Sequence, residues 1–263
     1  ALRPALLENA CRKMPTMTPV GGHKMECQFN EEVPGENLTK EGLLVFNMDA
    51  EKWVIFCDGD WPDEVVWRPL VDQAECIVAC DAAAHQCLER GITPHVVIGD
   101  MDSVDQNEVM KNLSSIQWIV KEHQDNSDLS KALEFARQNN PTTTDVIGIE
   151  GGQKGHQIGA YFALFDAPPQ TVLHTQNSRI YFIKNRNLTI DSIEIGSTLS
   201  LFALGLAEGV SLTGCEWDLN NEKLMPGTRG LNNITTTSKL TIDVKNGAVL
   251  ACLETNQRGP FGR

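Results

Sequence analysis

The sequence has little positive charge, no long apolar run and no paired-cysteine motif. With 22 Lys and Arg against 35 Asp and Glu, the 263-residue chain carries a formal charge of −13 and a pI near 4.9. That balance argues against nucleic acid or an anionic membrane as partner, since both reward a basic surface. A polyphosphate substrate would instead need a divalent cation or a local basic patch. No apolar run approaches the roughly 18 residues of a membrane span. The opening ALRPALLENACRK lacks a hydrophobic core and a small-residue cleavage site, so no secretory signal is expected there. None of the eight cysteines forms a C-x-x-C pair, and Cys76 and Cys80 fall inside an apolar run. They read as buried small hydrophobes or free thiols in a reducing compartment, and a cytoplasmic location is expected. No G-x-S-x-G, H-E-x-x-H, G-x-G-x-x-G or G-x-x-x-x-G-K-[ST] occurs, so the usual hydrolase, zincin, dinucleotide and P-loop signatures find no support.

What is present is an ordinary globular composition, 41% hydrophobic and 22% charged, long enough for one large domain or two modest ones. Residues 1 to about 45 show few periodic apolar positions and read as an irregular extension. From residue 46 to 170, continuously apolar strands alternate with helices. KWVIFCDG, CIVACD, HVVIGDMDS, SIQWIVKE and DVIGIEGG read as strands. WPDEVVWRPLVDQA, AAAHQCLERGI, SDLSKALEFARQNN and GHQIGAYFALFDA read as helices, with Pro62 near the first turn of the first and Ser127 capping the third. This pattern predicts a three-layer α/β domain with a mainly parallel sheet. From 171 to 255 the period falls to two. RIYFIKN, LTIDSIEI, TLSLFAL, GVSLTGCEW, KLTIDVK and AVLACLET predict an all-β sandwich or barrel, leaving 256–263 as a tail.

Ligands of a parallel sheet bind outside the carboxyl ends of its strands. Polar clusters fall at those ends: Asp58 and Asp60, Asp81, Asp100 and Asp102, and the Gly151-Gly152 turn. Asp100 and Asp102 can form a solvated turn. They can equally converge on a cation, because Mg²⁺ takes one or two carboxylates together with phosphate oxygens and water. Asp125 and Asp128 flank a helix start, where capping explains them as well as function does. Lys131, one turn on, is placed to contact a phosphate or simply to be solvated. The glycine-rich turn 148-GIEGGQKGHQIG-159 offers backbone N–H groups to an anion, or only the positive φ that a strand-to-helix turn needs.

Taken together, 99-GDMDS-103 and 124-QDNSDLSKAL-133 resemble the G-D-x-D-S and Q-D-x-T-D-x-T-K-A-L motifs of the thiamin pyrophosphokinase family, with Ser127 and Ser130 in place of threonine. The resemblance extends over about residues 50 to 253. It takes in 91-GITPH-95 for the family's G-I-x-P-D, 214-GCEW-217 for its Gly-x-x-Trp element, and Asn232-Asn233 for a later Ser-Asn pair. It implies Mg²⁺-dependent transfer of a diphosphate from ATP to the thiamin hydroxyl. Asp100, Asp102 and Asp128 would bind the metal, with Asp81 in support and one carboxylate taking the hydroxyl proton. Gly99, Ser103, Gln124, Ser127, Lys131, Gly151 and Gly152 would hold the nucleotide. Trp217, Asn232, Asn233 and His156 would hold thiamin, in a homodimer whose partner completes the pocket. Two turns depart from the family: D-G-G-A-N stands as 81-DAAAH-85, and G-G-R-x-D-H as 151-GGQKGH-156. Gln153 forfeits a guanidinium's bidentate phosphate contact, which Lys154 replaces only in part. Two readings remain beside the first, a pyrophosphokinase of a pterin alcohol and a non-catalytic thiamin- or nucleotide-binding descendant.

Overall fold

In the computed structural model the described residues are 52–100, 116–121 and 126–254. Asp102, Ser103, Gln124 and Asp125, together with the N-terminal extension and the tail, lie outside them.

The first half places strand β1 (Lys52–Phe56), helix α1 (Glu64–Val71), β2 (Cys76–Cys80), α2 (Ala83–Glu89), β3 (Val96–Gly99) and β4 (Gln117–Val120) in succession. Helix α3 (Asp128–Asn139), β5 (Thr143–Ile147), α4 (Lys154–Ala163), a 3-10 turn (Leu164–Asp166) and β6 (Thr171–His174) follow. Strands β6-β5-β1-β2-β3-β4 are all parallel neighbours. Continuous burial, complete in β2 and β3, is what a strand with helices on both faces requires. Val54, Phe56, Ile77 and Ala79 pack with Trp67 of α1 and Ala83, Ala84 and Cys87 of α2. On the opposite face Trp53 meets Phe135 of α3, ring centroids 5.5 Å apart.

The second half consists of β7 (Ser178–Lys184), β8 (Asn187–Ile190), β9 (Thr198–Ala203), β10 (Ala207–Thr213), β11 (Leu219–Leu224), β12 (Gly230–Ile234), β13 (Leu240–Asn246) and β14 (Ala248–Glu254). Its strands do not form a separate sheet. β7 pairs antiparallel with β6, and β14, β9 and β12 continue outward, so one sheet of ten strands runs from β12 to β4. A second sheet, β11-β10-β13-β8, lies over this extension. Ile183, Leu199, Leu201, Val249 and Leu253 of the long sheet form one core with Val210, Leu212, Leu240, Ile242 and Val244 of the short one. The edge strand β12 carries a bulge between Gly230 and Asn233, with Asn232 at φ 58°.

Three local expectations are corrected. The first helix begins at Glu64 with Asp63 as its N-cap, so Pro62 precedes it and Pro69 lies inside. Trp61 is tied instead to the strand it follows: its Nε1 donates to the Cys57 carbonyl at 2.9 Å and its ring stacks on Phe56 at 4.2 Å. The LTIDSIEI strand stops at Ile190, because Ser192 adopts φ 59°, outside the strand region. The segment 209–217 is strand only to Thr213, after which Gly214 turns at φ 100°.

His95 Nδ1 accepts the Ile77 N–H at 2.9 Å where β2 meets β3, and burial lowers its pKa. The fold therefore favours the neutral ring, and the stability it contributes is fully present above the free imidazole value and is lost as pH falls through the lower folded value. Urea midpoints measured from about pH 7.5 down to about pH 5.5, across the ordinary histidine value of about 6.5, should fall. His95→Asn, which keeps an acceptor, should flatten that part of the slope.

Candidate active site

Asp81 directly follows β2, and its N–H still donates to the Ile98 carbonyl of β3 at 2.9 Å. That bond holds the Asp81 backbone in line with the ladder while its side chain, 3% exposed, sits at the carboxyl end of the sheet. Strand β3 ends one residue before Asp100, and its last carbonyl, on Gly99, accepts the Lys121 N–H at 2.8 Å. The third acid opens α3. Ser127 has extended backbone and its hydroxyl accepts the Ser130 N–H at 3.3 Å, so Asp128 stands in the first turn, at the positive end of the helix dipole.

These three segments bring Asp81, Asp100 and Asp128 together, with one carboxylate oxygen from each lying within 4.8 Å of the others. At 4.8 Å and an effective dielectric of about 20, two such charges repel by about 3 kcal/mol. One cation is built in: Lys131, its side chain 6% exposed, donates from Nζ to Asp128 Oδ1 at 2.8 Å. A single ammonium leaves the group net negative. Hard oxygen donors in this number suit a divalent cation such as Mg²⁺. Asp81 thus enters the cluster itself, a closer role than support from nearby.

Gly99 makes the arrangement possible. A Cβ there would lie 2.7 Å from Asp81 Cβ, inside any real contact. Beside it, Cys80 is held protonated: a hydrogen bond with the Cys57 thiol, burial, and the charge of Asp128 all raise its pKa well above the ordinary thiol value.

The glycine-rich turn lies across β1 and β5. Gly59 N–H donates to the Gly148 carbonyl at 2.9 Å and Asp60 N–H to Glu150 at 2.7 Å. Gly151 and Gly152 take φ 77° and 58°, and a Cβ on Gly151 would strike the Asp60 carboxylate. Lys154 Nζ donates to Gln157 Oε1 at 3.0 Å, and Gln157 Nε2 in turn donates to the Gly151 carbonyl. The lysine in the position of interest therefore braces the turn. His156 is exposed on α4.

Trp217 is 58% exposed, but its backbone is fixed. Its N–H donates to Asn233 Oδ1 at 3.1 Å, and Asn233 Nδ2 donates to its carbonyl at 2.7 Å. Asn232, on the same bulge, is exposed and its N–H donates to Ser200 Oγ. β12 lies seven strand positions from β2, on the order of 30 Å along the sheet, so this group and the acidic cluster do not meet within one chain. Two bracing residues escape a reading of the sequence. Gln86 of α2 donates to Asp58 Oδ1 at 3.1 Å, and Gln176 bridges Asp63 and Glu150. Both are lone glutamines without pattern, and only their position across the strand ends gives them a role.

Residues 67–176 match the family model described as thiamin pyrophosphokinase, catalytic domain, and residues 186–249 match that described as thiamin pyrophosphokinase, vitamin B1 binding domain. The chain belongs to the thiamin pyrophosphokinase family. A curated relative, thiamine pyrophosphokinase of Bacillus subtilis strain 168, is 24% identical over 157 residues, covering 57% of this chain and 73% of its own. Among solved structures, thiamine pyrophosphokinase from Bacillus subtilis superposes with a TM-score of 0.65 at 21% identity, over 78% of this chain and 100% of that one. Thiamin pyrophosphokinase from Candida albicans gives 0.65 at 15% identity, over 81% and 91%. These likenesses establish the shared fold of a mixed sheet with helices joined to an antiparallel β half.

Gly99→Ala should lower stability by about 1–3 kcal/mol through overpacking against Asp81. Urea unfolding reads that loss, and a matched fall in the affinity of the acidic cluster for Mg²⁺, followed by calorimetry, would show that Asp81 has moved.

Proposed function

We propose that this family member transfers a diphosphate from ATP to the hydroxyl of thiamin, giving thiamin diphosphate and AMP. The convergence of Asp81, Asp100 and Asp128 at the strand ends carries the reading, in a chain whose two halves match the catalytic and the vitamin B1 binding models in order. Residues 46–170 serve the nucleotide and residues 171–255 serve thiamin.

Asp100, Asp128 and Asp81 would hold Mg²⁺, with Asp102 joining them on the strength of the 99-GDMDS-103 pattern. The cation, when bound, supplies positive charge to the phosphate oxygens. Lys131 adds a second positive charge, already oriented by its bond to Asp128. The Gly151-Gly152 turn, Gly99, Ser127 and Lys131 would hold the nucleotide, with Ser103 and Gln124 joining them on the strength of the sequence motifs. In the transfer, the thiamin oxygen forms its bond to the β-phosphorus as the bond from that phosphorus to the AMP oxygen breaks. A carboxylate of the cluster takes the hydroxyl proton. The exposed Trp217 ring suits a cationic thiazolium, and Asn233 keeps its loop in place.

The separation of Trp217 from the acids supports a homodimer in which a second copy brings its β12 edge to the cluster. The six described free thiols agree with a cytoplasmic setting.

AMP release from ATP should depend on both thiamin and a divalent cation. Asp100→Asn and Asp128→Asn should each lower turnover about 100-fold or more, since several kcal/mol of charge stabilisation is lost. Full turnover by Asp100→Asn would refute the assignment, and thiamin binding without AMP release would make the chain a binding protein. Asn233→Ala strips a buried amide from three backbone partners. It should cost about 1–3 kcal/mol in stability and raise KM for thiamin more than it lowers kcat.

A further inference from the structure

One face of the ten-stranded sheet changes its cover part-way along, and the change leaves a crevice. Val54 and Phe56 of β1 and Ile147 of β5 pack under α1 and α2, whereas Tyr181 and Ile183 of β7 pack under the second sheet. The register runs from Val54 to Asp145, Val172 and Tyr181 in turn, so these four residues form one row across that face. Between the two covers lies a cavity of about 340 Å³, within the range of small-molecule sites. Leu70 of α1 gives one wall and Leu188 and Thr189 of β8 the other, over a floor of Asp145, Val172 and Tyr181. The cavity reaches the amino ends of β1 and β5, where Lys52 and Thr143 line it, away from the carboxyl ends that carry the acids.

Two polar side chains of the floor keep bonding capacity for a ligand. Tyr181 is 7% exposed, and no group among the described residues hydrogen bonds to its hydroxyl. Burial, helped by the charge of Asp145, raises its pKa against the opposing pull of Arg179, so the phenol stays protonated. The Asp145 side chain is 18% exposed, and its Oδ1 lies 2.6 Å from His174 Nε2, which leaves Oδ2 for a further donor. At the rim Lys52 Nζ donates to Gln73 Oε1 at 3.0 Å. Asp145 and Asp191 against Lys52 make the lining net negative. Lys239, 3.5 Å from Asp191, is an exposed partner whose charge is screened by water.

We propose that this crevice binds a small organic cation, an amidinium or protonated amine on an aromatic or aliphatic body. The cationic N–H groups donate to Asp145 Oδ2 and to the Tyr181 oxygen, and the body lies between Leu70, Val172 and Leu188. The site stands apart from the acidic cluster and from Trp217, and it does not depend on the transfer reaction. A ligand there joins the helix layer to the second sheet across β5, β6 and β7, and so stabilises the seam between the two halves.

The test titrates the full chain by calorimetry with benzamidine, benzamide and benzoate, which share one shape and are cationic, neutral and anionic. Benzamidine is expected to bind and to raise the melting temperature, with the other two at least about tenfold weaker. Asp145→Asn, which keeps an acceptor for His174, should weaken benzamidine about tenfold, and Tyr181→Phe about threefold. Thr189→Trp, at an exposed position of β8, should fill the crevice and abolish binding, and it decides the matter if the floor variants fold poorly. Asp100→Asn and Trp217→Ala should bind benzamidine like the parent. Absence of benzamidine binding overturns the proposal, as does equal binding of benzamide or benzoate, or full binding by Thr189→Trp. Loss of binding in Asp100→Asn or Trp217→Ala, with Asp145→Asn unaffected, places the cation elsewhere and overturns it as well.

Discussion

Mutual repulsion among three carboxylates is the constraint around which the first half of this protein is built. Left to water, Asp81, Asp100 and Asp128 would separate. They stay within 4.8 Å because each is fixed by a different rigid device. Asp81 is held by a strand ladder that continues through its own N–H, Asp100 by the neighbouring strand end, and Asp128 by a capped helix. Lys131 offsets part of the charge and the rest is left for a ligand. The cost of holding like charges together is met by burial elsewhere in the same elements, where β2 and β3 are covered on both faces.

Much of this was legible in the sequence, for a physical reason. Strands buried on both faces must be apolar throughout, so CIVAC and VVIG stand out, and whatever follows them stands at the sheet's carboxyl edge. That made the aspartates readable as a group although they come from three segments. The same logic failed where pairing, not burial, defines a strand. LNNEKL and GLNNI are mostly polar and partly exposed, and they become β11 and β12 only through their ladders. TVLH, four residues long, was too short to stand out, yet as β6 it is the strand that joins the two halves. Among the described residues Cys76, Cys80, Cys87 and Cys215 are buried, in keeping with their reading as small hydrophobes.

Continuity of the sheet also changes how the two halves relate. A parallel, helix-covered sheet turns into an antiparallel, sheet-covered one at the β6–β7 hairpin without losing a hydrogen-bonded neighbour. The half that matches the vitamin B1 binding model is therefore fixed to the half that carries the acids through backbone bonds, and a displacement on one side is felt as strain in a common ladder.

The bulge in β12 has a consequence beyond fixing Asn232 and Asn233. A ten-stranded sheet ends in strands whose outer N–H and C=O groups invite further strands, the route to uncontrolled polymerisation. At β12 the register shift between Gly230 and Asn233 and the left-handed backbone of Asn232 interrupt that row of donors and acceptors. The irregularity that steadies the Trp217 loop thereby also keeps that edge from recruiting further strands.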